Sequence, residues 1–112
     1  MKNILLICNE GMSTGYLCNK MNEIAQAQGI NARARAVPES ALEGHYKDVD
    51  VVMIGPQIKY LLDSIRQRVG HSLPVDAINP IDFGRTNAKA VLEHALSLIV
   101  EQSTTTDVED DA

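Results

Sequence analysis

The chain opens on a short unbroken apolar run, Ile4-Leu5-Leu6-Ile7, which is the pattern of a strand buried on both faces. Glycines at 11 and 15 interrupt it. Leu17, Met21, Ile24 and Ala25 then recur at helical spacing, and Gly29 is placed to end that helix. Residues 31–37 alternate, with Ala32, Ala34 and Ala36 on one side and Arg33 and Arg35 on the other, which predicts a half-exposed edge strand. Pro38-Glu39-Ser40 starts a short helix or turn over residues 41–44. Residues 49–54 read as a second buried strand, stopped by Gly55-Pro56. Ile58, Leu61, Leu62, Ile65 and Val69 form one face of an amphipathic helix. Residues 75–78 predict a fourth strand, and Ala88, Val91, Leu92, Ala95 and Ile99 predict a last helix.

Strands alternating with helices of this length imply βαβ units. The predicted fold is α/β, a single domain with an open parallel four-stranded sheet in the order 2-1-3-4 and helices on both faces. The first strand is then central, and its carboxyl end lies at the switch point where such sheets bind ligands. The domain is expected over residues 1–102. Residues 103–112 are polar and acidic, with Val108 and Ala112 their only apolar side chains, and are expected to form a disordered tail.

Charge changes this picture little. The net charge is −5, yet five acidic residues lie beyond residue 100, and the domain itself is balanced. There is no basic field for nucleic acid, and Phe83 with three tyrosines makes a poor platform for stacking bases. No apolar stretch approaches the roughly 20 residues needed to cross a bilayer, so no direct membrane insertion is expected. Cys8 and Cys18 do not make a disulfide framework. In a chain read as having no leader, both are expected to be reduced and the location cytoplasmic. His45, His71 and His94 lie in different segments without metal-ligand spacing, so neither metal nor cofactor is expected. His94 reads as a solvated residue beside the stripe of the last helix.

The candidate chemistry is in Cys8-Asn9-Glu10-Gly11-Met12-Ser13-Thr14-Gly15, which leads from the first strand into the first helix. Unpaired N–H groups and the positive end of a helix dipole converge there, a setting that favours a thiolate and holds an anion. Gly11 and Gly15 let several N–H groups face one anion, and Ser13 and Thr14 can cap the helix or donate to phosphate oxygens. The alternative is a buried Cys8 with no chemistry and two capping hydroxyls. Neither a nucleotide P-loop nor a dinucleotide glycine pattern is present. Low-molecular-weight tyrosine phosphatases and related arsenate reductases place a cysteine at the same point of a similar sheet, but within Cys-x5-Arg. Here the sixth position after Cys8 is Thr14, and no arginine precedes Arg33. A loop that binds phosphate without an arginine to hydrolyse it suits a carrier. A cysteine phosphatase or reductase, and a protein-binding module without catalysis, stay as alternatives.

Residues 1 to about 100 resemble the enzyme IIB component of the bacterial sugar phosphotransferase system, of the lactose/cellobiose/chitobiose type. The resemblance is carried by the run ending in Cys8, Gly11-Met12-Ser13-Thr14, Lys20-Met21, Asp50-Val51-Val52, Gly55-Pro56-Gln57-Ile58-Lys59-Tyr60 and Ile81-Asp82-Phe83-Gly84. It implies that Cys8 takes a phosphoryl group from a phosphohistidine of a IIA protein. Cys8 would then pass it to a β-linked disaccharide bound by the membrane permease IIC. It maps Asn9, Glu10, Gly11, Met12, Ser13, Thr14 and Gly15 onto the phosphate loop, with Gln57 and Tyr60 in a neighbouring motif, and implies a monomer when alone. Asn9, Glu10 and Gly15 depart from the small residues and the serine common in the family at these positions. Glu10 is expected to face solvent or a basic patch on a partner. Cys18 reads as a packing residue, Asp82 as a cap for the final helix region, and Met12 and Tyr16 as rim residues.

Overall fold

The computed structural model describes residues 1–8, 12–70 and 73–111, with side chains for 1–8, 14–70 and 73–100. Four strands, β1 (Lys2–Cys8), β2 (Ala32–Pro38), β3 (Val51–Ile54) and β4 (Val75–Ala77), form one sheet in the order β2-β1-β3-β4. All three pairings are parallel, with Cys8 opposite Pro38 and Ile7 opposite Ile54. The fold class and strand order expected from the sequence are those observed.

The alternation of side chains along β1 divides the core in two. Ile4 and Leu6 join Leu17, Cys18 and Met21 of helix α1 (Met12–Ala27), together with Ala88, Val91, Leu92 and Ala95 of the last helix, on one face of the sheet. Leu5 and Ile7 join Leu42, Ile58, Ile65 and Val69 on the other. Every residue from Ile4 to Ile7 is fully buried, and each such side chain contributes roughly 1.5–3 kcal/mol through burial. β2 is the half-exposed edge that its alanine–arginine alternation predicts, with Ala32 and Ala34 buried and Arg33 and Arg35 exposed. Gly29 follows α1 at φ 69°, the left-handed conformation that a glycine supplies without strain.

The structure corrects several boundaries. α1 already begins at Met12, so Ser13, Thr14 and Gly15 belong to its first turns rather than to a loop. The apolar stripe read as one helix from residue 58 is two elements. A 3₁₀ helix, Pro56–Leu61, precedes helix α2 (Leu62–Val69), and Ile58 within the 3₁₀ segment has a non-helical φ of −119°. A proline at the first helical position after Gly55 explains the tight start. Glu39–Gly44 is likewise 3₁₀. A short helix unpredicted from sequence, α3 (Pro80–Gly84), follows β4. The last helix, α4, spans Ala88–Asp111, so its backbone continues through residues expected to be disordered. No glycine or proline occurs after Gly84 to stop it.

Candidate functional site at the carboxyl end of the central strand

Cys8 is the last residue of β1, one of the two inner strands of the sheet, and α1 starts four residues later. The thiol is 3% exposed and donates to the carbonyl oxygen of Val37 on β2, at 3.7 Å. On the other flank Gly55 leaves β3, and its N–H donates to Ile7 O at 2.9 Å. A side chain at 55 would begin 3.0 Å from Gln57 Oε1 and 3.5 Å from Ile7 O. The Gln57 amide oxygen thus packs close over the backbone at Gly55, and a larger residue there would make that flexible side chain shift by a few tenths of an ångström.

Of the loop residues singled out in the sequence, Asn9, Glu10 and Gly11 lie outside the described residues, as do the side chains of Met12 and Ser13. Thr14 is 1% exposed, a buried hydroxyl in the first turn of α1. Among the described residues nothing stands within 4 Å of where a Cβ at Gly15 would lie. The start of this 16-residue helix, whose first N–H groups have no partner within the helix and which carries the positive dipole end, follows the strand end by four residues.

Tyr16, Tyr60 and Ile81 are exposed, and each lies in the segment that leaves the carboxyl end of a strand: β1, β3 and β4 in turn. Tyr16 is thus the rim residue expected, with Lys20 Nζ 5.5 Å above its ring, and Tyr60, at 79% exposure, stands out fully beside Gln57.

Cys18 is a core residue, as its spacing suggested. Burial first, and then the nearby Cys8 sulphur, push its thiol up to about 12, so it stays protonated at neutral pH. Asp82 is not the cap of the final helix region. Asn79 Oδ1 accepts from the N–H groups of Ile81 and Asp82 at the start of α3, and Asn87 Oδ1 accepts from Ala90 N at the start of α4. Asp82 contributes its backbone carbonyl to Asn87 N. Nor is His94 simply solvated, since its Nε2 lies 3.1 Å from Asp76 Oδ2. His45 is tied to Arg35, and His71 lies outside the described residues. Among the described residues no three His, Cys, Asp or Glu side chains gather as a metal site, and no helix is long and apolar enough to cross a membrane.

Three arginines are engaged elsewhere. Arg35 holds His45, Arg66 holds Val75 O, and Arg68 joins Glu39 and Glu43. Arg68 in turn holds the Glu43 carboxyl below its ordinary range.

Residues 3–94 match the family model of the PTS system, lactose/cellobiose-specific IIB subunit. The chain is 37% identical over 103 residues to the oligo-beta-mannoside-specific EIIB component of Bacillus subtilis, covering 91% of this chain and all of that one. It is 31% identical to the galactose-specific EIIB component of Lactococcus lactis, over 88% of this chain and 96% of the relative. Among solved structures it is similar to the cellobiose-specific phosphotransferase IIB component of Borrelia burgdorferi, with a TM-score of 0.76, 35% identity and coverage of 90% and 94%. The lactose-specific IIB domain of Streptococcus pneumoniae shares the fold at a TM-score of 0.74 with 17% identity, over 86% and 95% of the two chains.

Proposed function

The chain belongs to the lactose/cellobiose-specific IIB family of the sugar phosphotransferase system, and on that premise we propose that Cys8 is its phosphoryl carrier. In the first transfer the Cys8 thiolate attacks the phosphorus of a phosphohistidine on a IIA partner. The S–P bond forms, the N–P bond breaks, and the imidazole leaves with the electron pair. In the second a sugar hydroxyl held by a membrane IIC partner attacks the same phosphorus. The P–S bond breaks, the thiolate is regenerated, and the hydroxyl proton passes to a base. Both are in-line displacements in which positioning and N–H donors carry most of the catalysis.

The observation that carries this reading is the place of Cys8, at the carboxyl end of the central strand and just ahead of the α1 N-terminus. A phosphoryl group on its sulphur would be a dianion beside unpaired N–H groups and the positive end of a helix dipole. Asn9 to Gly15 would form the cradle, with Gln57 and Tyr60 beside it. The absence of an arginine between Cys8 and Arg33 supports a carrier over a phosphatase of the Cys-x5-Arg kind, which needs a guanidinium on the transferring group. The sugar is a β-linked disaccharide of the cellobiose, chitobiose, lactose or mannoside type, and the exchange takes place at the cytoplasmic side of the membrane. The experiment combines the purified chain with the upstream carriers, phosphoenolpyruvate and membranes containing IIC. Sugar phosphate should form with the parent and not with Cys8→Ser; equal formation by Cys8→Ser overturns the reading.

A further inference from the structure

β2 and β4 are the two edges of the sheet, and on each of them one pair of outward-facing backbone groups is occupied by side chains of the chain itself, Ala34 N and O on β2 and Val75 O and Ala77 N on β4. Lys2 N donates to Asn31 O at 3.0 Å, and pairing with β1 uses every second residue of β2 from there on. Ala34 therefore turns its N–H and C=O away from β1. Asn22 of α1 meets both groups, accepting from Ala34 N through Oδ1 at 2.7 Å and donating to Ala34 O through Nδ2 at 2.9 Å. One amide thus supplies the acceptor and the donor that the facing residue of an antiparallel strand would supply.

The other edge is closed by different chemistry. Val52 N donates to Pro74 O at 2.9 Å and Ile78 N to Ile54 O at 2.8 Å, so Val75 and Ala77 present their polar groups outward. Val75 O accepts from Arg66 Nε at 3.1 Å and Nη2 at 3.0 Å. Ala77 N donates to Asp76 Oδ1 at 2.8 Å, and the second oxygen of that carboxylate is 3.1 Å from His94 Nε2. Val75 O and Ala77 N are the two groups that a single residue of an added parallel strand would need, and both are taken.

An edge strand with free N–H and C=O groups is a template for pairing with another chain. We propose that Asn22, Arg66 and Asp76 seal the two edges of this sheet against strand addition by a second copy of the chain. The seal lies on the sides of the sheet and uses neither Cys8 nor the residues immediately after it, so it does not depend on the role of Cys8.

The test joins amide hydrogen exchange of the full chain with sedimentation up to millimolar concentration. In the parent the Ala34 and Ala77 amides should exchange slowly despite their edge positions, and the protein should sediment as a monomer. Asn22→Ala should speed exchange at Ala34 by roughly tenfold, and Asp76→Ala should do the same at Ala77, with the amides of residues 4–7 unaffected. The double variant Asn22→Ala, Arg66→Ala should self-associate as its concentration rises. Fast exchange at Ala34 or Ala77 in the parent overturns the proposal, as does a folded double variant that stays monomeric. Should the double variant fail to fold, the single variant Asn22→Ala, which loses the acceptor for Ala34 N, decides alone: unaltered Ala34 exchange contradicts the seal.

Discussion

The Cys8 thiol of the central strand donates to the Val37 carbonyl of the neighbouring edge strand, at 3.7 Å. The sulphur of Cys8 is thus tied into the sheet, and the N–H groups of a helix start follow it by four residues. The second cysteine has a different setting. Cys18 sits within the core, one helix turn beyond Thr14.

Cys18 makes the fold sensitive to alkali. Its thiol is held at about 12 in the folded chain against an ordinary 9.0, so between these values the unfolded chain has lost a proton that the folded one retains. Stability is whole below pH 9 and falls as pH rises toward 12, by roughly 2–3 kcal/mol at pH 11. Denaturant melts at pH 8 and pH 11 should show a smaller alkaline loss in Cys18→Ala than in the parent. Equal losses would remove Cys18 as the cause.

Gly15 lies within α1 with open space at the Cβ position. Gly15→Ala should raise stability by about 0.5–1 kcal/mol, through helix propensity and a less flexible unfolded chain. A fall in melting temperature would show that the position needs glycine for a reason other than packing.

The sheet was legible in the sequence because the rules behind it are local. Period-two alternation in β1 sends Ile4 and Leu6 to one layer and Leu5 and Ile7 to the other, and the alanines of β2 face inward as written. Cys8 was legible as a strand-end residue for the same reason. What escaped depends on the path of the chain. Asn and Asp are equivalent caps by propensity, and the turn after β4 decides for Asn79 and Asn87 over Asp82. The pairing of His94 with Asp76 spans 18 positions, a separation at which spacing carries no signal. The 3₁₀ start at Pro56 escaped because Ile58 and Leu61 satisfy a helical stripe equally well with either winding.

The acidic end of α4 is expected to be dispensable. Residues 103–112 carry only Val108 and Ala112 as apolar side chains, too little apolar surface to hold them against the domain. Truncation after Gln102 should leave the melting temperature and phosphoryl uptake unchanged. A fall of several degrees would show that the end of the helix is docked.

We propose that one residue of this chain carries phosphate, and that it is Cys8. The chain is incubated with the upstream carriers and phosphoenolpyruvate, and intact mass and peptide mapping follow at neutral pH, where phosphohistidine and phosphocysteine can both be tracked. One added phosphate is expected on the peptide containing Cys8 and none in Cys8→Ala. Phosphate on a histidine, or an undiminished mass gain in Cys8→Ala, would contradict it.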